Sequence, residues 1–230
     1  HRHHISLGHS IARAGGLSPS LSPPILYSFR RCPYAMRARL AVSASGIQVE
    51  LREILLRDKA PEFMASFPKG TVPVLVTRSR VIEESFDIMQ WALAQSDPEH
   101  WLDMPAVGYD WIASCDGPFK QALDQTKYAE RYPDLDPLHE RSKASEFLKN
   151  LDIQIAGSEW MFGPDCKLAD MALLPFIRQF ANIDKSWFDK QPWPNLQRWL
   201  ARFLASEHFA SIMVKYDKWV VGDAARTFPN

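Results

Sequence analysis

The sequence is short of cysteine and has no surplus of charge. Its three cysteines, Cys32, Cys115 and Cys166, stand far apart and no two form C-x-x-C. That argues against a disulfide framework. Too few thiols and no clustered histidines argue against zinc, so no metal site is expected. Unpaired thiols suit a reducing compartment, and the cytoplasm is the expected location. Lysine plus arginine number 27 and aspartate plus glutamate number 27. A nucleic-acid partner would call for a basic excess, so none is expected. No apolar run approaches the roughly 18 residues that span a bilayer, so no membrane partner is expected either. Acidic residues are missing from "HRHHISLGHSIARAGGLSPSLSP" at the start. Residues 1–23 read as a tag scar, a flexible leader or a remnant of a targeting peptide, the last implying an organelle, and they are set aside.

What remains has ordinary globular composition, 46% hydrophobic and 23% charged, enough for one large domain or two small ones. From Pro24 onward the pattern is regular. "PILYSF" is rich in strand formers. "CPYAMRARLAVSASG" reads as a helix: Pro33 suits the first turn, Met36, Leu40 and Ala44 recur at four-residue steps, and Gly46 is a natural stop. In "IQVEL", Ile47, Val49 and Leu51 alternate as in a half-buried strand. "LRDKAPEFMASFPKG" suggests a loop with a short helix. "TVPVLVTRSRVIEES" suggests two short strands around a turn, and "SFDIMQWALAQ" a helix with Ser85 as its cap. Residues 24–96 therefore form a mixed α/β domain.

Residues 97–104 form a polar connector, beyond which strand signals nearly vanish. Helices are expected over Ala106–Glu130, Pro137–Ala156, Ala169–Phe180 and Pro194–Glu207. Residues 105–230 thus make a helical domain with a C-terminal tail.

Cys32 is the residue on which function turns. It stands at the mouth of the helix that Pro33 begins. Free N–H groups of the first turn and the helix dipole favour negative charge there. Arg30, Arg31 and Arg37 are nearby cations, whereas Arg39 is expected to face solvent. Such surroundings would lower a thiol from near 8.5 to roughly 3.5–7.5. The benefit lies mostly in leaving: a low-pKa thiol departs readily from a mixed disulfide, while its intrinsic nucleophilicity falls. No histidine is near in sequence, which argues against a Cys–His hydrolase pair. Ala35 stands where a dithiol motif would have its second cysteine, so resolution would need an external thiol. From local pattern alone, a reactive thiol and a buried small residue remain equally open. Cys115 and Cys166 read as structural.

Four stretches decide between them. "CPYAMRARL", "KGTVPVLV", "EESFDI" and "LADMALLPFIRQF", in this order and at these distances, make the chain similar to the glutathione S-transferase family, in particular its cysteine-type, omega-like branch. The resemblance covers nearly all of Pro24–Phe228. It implies an α/β thioredoxin-like N-terminal domain, an all-α C-terminal domain and a homodimer. It also implies glutathione as co-substrate, with no bound cofactor. It makes Cys32 the catalytic residue. Pro73 would be cis, turning the Val72 backbone outward to pair with the cysteinyl part of glutathione. Ser85 would cap the helix that receives the γ-glutamyl carboxylate, and Glu84 would accept from the ligand's ammonium. Lys59 would meet the glycine carboxylate. Lys167 occupies a position three before Asp170 where the family's pattern has a capping hydroxyl. A lysine accepts no hydrogen bond, and a lost cap costs about 0.5–2 kcal/mol. Tyr27 reads as a strand residue. Tyr109, Trp111, Tyr128 and Trp160 receive no role. The expected activity is thiol transfer through a glutathionyl–Cys32 disulfide, on glutathionylated disulfides or an oxidised substrate such as dehydroascorbate. Conjugation of glutathione to electrophiles and a non-catalytic binding module are the alternatives.

Overall fold

The computed structural model describes residues 22–230. The leader expected over 1–23 lies outside them except for Ser22 and Pro23. The first domain is a sheet wrapped by helices. Strand β1 (Ile25–Ser28) runs parallel to β2 (Val49–Glu53), with α1 (Pro33–Ser45) between them. After α2 (Pro61–Ser66), β3 (Val74–Val76) pairs antiparallel with β1, and β4 (Val81–Ile82) pairs antiparallel with β3. Helix α3 (Ser85–Gln95) closes the unit and packs on α1.

Alternation along β1 divides the core. Leu26 joins the large cluster with Met36, Leu40 and Ile88, whereas Tyr27 faces a smaller cluster with Phe63, Val74 and Trp219. Pro33 opens α1, and Gly46, at φ +75°, ends it. A left-handed residue costs least as glycine, so the stop read from the sequence has a steric basis.

The connector is better fastened than a plain linker. The Asp97 carboxylate accepts from the backbone N–H groups of Trp101 and Leu102, both at 2.9 Å, and Trp101 is fully buried. The second domain contains α4 (Val107–Ser114), α5 (Lys120–Lys127), α6 (Pro137–Ile155), α7 (Leu168–Ala181), α8 (Lys185–Asp189), α9 (Pro194–Leu204) and α10 (Glu207–Ile212). The single helix expected over Ala106–Glu130 is interrupted by a π turn at Cys115–Phe119 that contains Pro118. A proline has no N–H to donate and its ring crowds the preceding turn, so the backbone widens there. Helix α7 is buried along almost its whole length and packs on α1, which makes it the seam between domains. Among the described residues, no helix is long and apolar enough to cross a membrane.

The tail departs from expectation. Residues Thr227–Phe228 form β5, antiparallel to β2, and give the sheet the order β4-β3-β1-β2-β5. The Trp219 N–H donates to the Glu53 carbonyl and the Leu51 N–H to the Arg226 carbonyl, both at 2.8 Å. Trp219 meets Tyr27 edge-on with centroids 5.9 Å apart, and the Arg52 guanidinium lies 4.5 Å from the Trp219 ring. The end of the chain thus returns to the first domain and covers the outer edge of β2. A two-residue strand carries no alternation to detect, and β5 lacks the adjoining turn and partner strand that marked β4.

Candidate functional site

Cys32 is the N-cap of α1, with extended backbone (φ −72°, ψ 121°). Its side chain is half-buried, and the sulfur donates to the Val72 carbonyl at 3.9 Å. The Val72–Pro73 bond is cis. A loop preceding β3 and the open end of α1 therefore converge on one sulfur.

The electrostatics differ from expectation. The Cys32 thiol lies above its ordinary pKa, because burial dominates. The first-turn N–H groups of Ala35 and Tyr34 pull it down, followed by the charges of Arg39 and Lys120, but they do not offset desolvation. Neither N–H completes a hydrogen bond to the sulfur by geometry, which is why their pull is incomplete. The expected lowering is thus overturned: burial raises the thiol instead.

The arginines also change places. Arg39, expected in solvent, is 2% exposed. It donates to Ser28 Oγ at 2.8 Å, to the Arg30 carbonyl at 2.6 Å and to the Ile212 carbonyl at 3.1 Å. Burial lowers its pKa to about 10, opposed by Glu53, so it stays charged at neutral pH. The reason is architectural: α3, α7 and α10 all pack on α1, and the side that carries Arg39 is covered. Arg37 is equally buried and grips Asp116 with two bonds of 2.7 and 2.8 Å. Its Nε donates to Ser85 Oγ at 2.8 Å.

That bond alters the reading of Ser85. Glu84, not Ser85, is the cap residue of α3; Ser85 is the first helical residue, buried, and makes no capping bond. Its hydroxyl is engaged by Arg37 instead. Glu84 is exposed, and it borders a different cleft from the one at Cys32. Lys59 is half-buried, and its ammonium lies over Gly70, where an added Cβ would come within 3.0 Å of Nζ. Gly70 has φ +65°, so this turn leading to Val72 favours glycine for its backbone conformation. The fold thus brings Cys32, Val72 and Pro73 together and sets Lys59 against the same loop. Ser85 is linked to α1 through Arg37, and no contact ties Glu84 to the sulfur.

Beyond the sulfur opens a cleft of about 480 Å³, bordered by Phe29, Cys32, Tyr128 and Pro175. Of the four aromatic residues left without a role, Tyr128 alone borders it. Sequence reading missed Arg39, Lys120 and Arg178 here. Each lies on a helix whose periodicity was visible, but their convergence depends on how the two domains dock.

The other thiols are quiet. Cys115 is fully buried and pushed far up by desolvation, while Cys166 is pushed up to about 12 by burial and by Glu99. Glu99, Cys166 and His208, far apart in sequence, place three ligand atoms within 4.8 Å of one another. His208 Nε2 already lies 2.8 Å from a Glu99 oxygen, as an ion pair would.

Comparison with known proteins bears on the family and the fold. The glutathione S-transferase N-terminal domain matches residues 26–100, and the corresponding C-terminal domain matches residues 120–202. Glutathione S-transferase U22 of Arabidopsis thaliana is 26% identical over 175 residues, covering 70% of this chain and 75% of that protein. Maleylacetoacetate isomerase of Rattus norvegicus is 27% identical over 201 residues, covering 81% and 90%. Among solved structures, a glutathione transferase family member from Pseudomonas fluorescens, with two glutathione molecules bound, superposes with a TM-score of 0.70. It is 22% identical, and the match covers 84% of this chain and 92% of that one, so it speaks for the fold. Two family domains in the expected order, on the expected architecture, place this chain in the glutathione S-transferase family.

Proposed function

We propose that the protein is a glutathione-dependent thiol transferase of the cysteine-type, omega-like kind, with Cys32 as its monothiol nucleophile. The observation that carries this reading is the position of Cys32: a half-buried sulfur at an uncapped helix start, 3.9 Å from the Val72 carbonyl and open to a cleft. Glutathione binds along the Val72–Pro73 backbone, with Lys59 toward its glycine carboxylate and with Glu84 and Ser85 at its γ-glutamyl end. The active form is a homodimer, as in the family the chain resembles.

The Cys32 thiol first loses its proton to solvent. The thiolate then attacks the glutathionyl sulfur of a mixed disulfide. The substrate thiolate leaves and takes up a proton, while Cys32 keeps the glutathionyl group. A second glutathione, as thiolate, attacks that group and leaves as glutathione disulfide, which restores Cys32. Ala35 supplies no internal thiol, so the external resolving step is obligatory. A raised thiol pKa makes deprotonation the scarce step and the thiolate, once formed, a stronger nucleophile. Turnover is accordingly expected to rise with pH through and above neutrality.

The test is Cys32→Ser in a glutathione-coupled mixed-disulfide assay. Loss of reductase activity is expected, and retention of full activity overturns the reading. A second reading has one observation in its favour. A thiol held protonated can donate a hydrogen bond to glutathione's own thiolate and so promote conjugation to electrophiles. Fast reaction with an aryl halide that survives Cys32→Ser, whose hydroxyl can still donate, would favour this second reading.

A further inference from the structure

The cleft beside Cys32 is lopsided in charge. Arg31, Lys127 and Arg178 line it, and no carboxylate does. The chain as a whole is balanced at 27 cationic and 27 acidic residues, so the excess is local. Some cations in the fold are paired, as Arg37 is with Asp116 and Lys120 with Asp124, and many at the surface are not. What distinguishes this cleft is that three cations share one lining with no carboxylate. Among the described residues, Arg31, Lys127 and Arg178 enter no salt bridge.

The three come from separate places: the turn before α1, the end of α5 and the middle of α7. Only domain docking puts them on one rim. Arg178 is half-buried, and its pKa is lowered by desolvation and then by the like charges of Arg30 and Arg31. Cations crowded without a counter-charge are stabilised by an anion that enters between them. Glutathione's own carboxylates do not account for this. Lys59, Val72, Glu84 and Ser85, its proposed partners, lie outside the lining of this cleft.

We propose that the second substrate of this site is a small organic acid, whose carboxylate seats between Arg31 and Arg178 with Lys127 at the rim. This rests on the reading of Cys32 as the site's nucleophile. In a mixed disulfide of glutathione with an acidic thiol, the glutathionyl half occupies the Val72 side and the acid half occupies the cleft. Attack by the Cys32 thiolate breaks the S–S bond. The acidic thiol then departs as its thiolate, is protonated by solvent, and leaves glutathionyl–Cys32 behind. Guanidinium groups suit a planar carboxylate because their N–H donors match its two oxygens.

Three mixed disulfides of glutathione test this, made with 3-mercaptopropionate, 2-mercaptoethanol and cysteamine. They share an ethylene arm and differ in terminal charge. Expected kcat/KM falls in the order anion, neutral, cation, by about tenfold per step at low salt for half-exposed charge-assisted contacts. The anion-to-neutral ratio should fall toward one in Arg178→Gln, in Arg31→Gln and, for the unaltered protein, in high salt. Equal rates, or a preference for cysteamine, overturn the proposal.

A binding arm separates it from the catalytic reading. Calorimetry on Cys32→Ser compares S-(2-carboxyethyl)glutathione with S-(2-hydroxyethyl)glutathione, neither of which can exchange. Tighter binding of the carboxyethyl compound supports the anion site even if no disulfide turns over, a result that would sink thiol transfer alone. Equal binding, or none, overturns the anion site whatever the disulfides do.

Discussion

Helices α1 and α7 start alike and are finished differently. Each begins on an extended residue, Cys32 or Lys167, and neither side chain can serve as an ordinary cap. At α7 the neighbours close the opening: the first-turn N–H of Leu168 donates to the Trp101 carbonyl at 3.1 Å, and Asp170 ties the entry together. Its carboxylate accepts from the Lys167 N–H at 2.8 Å, the Met161 N–H at 2.9 Å and Trp199 Nε1 at 2.9 Å. The Lys167 ammonium turns away to the His100 carbonyl at 2.9 Å. At α1 nothing comparable arrives, and the first-turn N–H groups of Tyr34 and Ala35 face a half-buried sulfur beside a cleft. The same local feature is structural where a neighbour saturates it and chemically available where it stays open.

The comparison can be broken from either end. Cys32→Ser should cut thiol transfer by about 10³-fold or more, as removal of a nucleophile does. The new hydroxyl is a better cap, so the same variant should unfold at equal or higher urea concentration, by up to about 1 kcal/mol. A variant that lost both activity and stability would argue that Cys32 is a packing residue. Asp170→Ala should cost about 3–5 kcal/mol in urea denaturation, since it leaves three donors without an acceptor.

Asp170 also makes a pH signature. Burial raises its pKa to about 6. Its contribution to stability is fully present below the ordinary aspartate value of about 3.9 and is lost as pH rises through about 6. That slope should vanish in Asp170→Ala. At the α1 end, the apparent pKa for alkylation of Cys32 by iodoacetamide should lie above that of an ordinary cysteine thiol. A midpoint below it would restore the thiolate expected from the motif and contradict the dominance of desolvation. The smallest effect is expected from Lys167→Ser, which adds the missing cap acceptor at α7 and should gain no more than about 1 kcal/mol, less whatever the bond to His100 contributes.

Much of this was legible in the sequence for identifiable reasons. Pro33, Gly46 and the four-residue spacing of Met36, Leu40 and Ala44 set the limits of α1. "TVPVLV" located the loop that meets the sulfur, and the domain order followed from where strand formers ceased. Among the short elements, α2, β3 and β4 were marked by the prolines and the turn around them, whereas α8, α10 and β5 are too brief to show a period and were not read. Neither was anything that depends on docking. Arg39 looks like a surface residue on a helix wheel and is buried only because the helical domain covers α1. Ser85 looks like a cap and is drawn into a bond with Arg37 from another helix. The thiol's pKa shows the same limit most clearly. A motif displays the groups that would lower it, whereas desolvation comes from the whole surrounding fold.

The most direct test of the central claim is an intact-protein mass spectrum, followed by peptide mapping, after incubation with glutathione disulfide under native conditions. The account predicts one glutathionyl group per chain, on Cys32, removed by added glutathione, with Cys115 and Cys166 unmodified. No adduct, or one on Cys115 or Cys166 with Cys32 untouched, would contradict it.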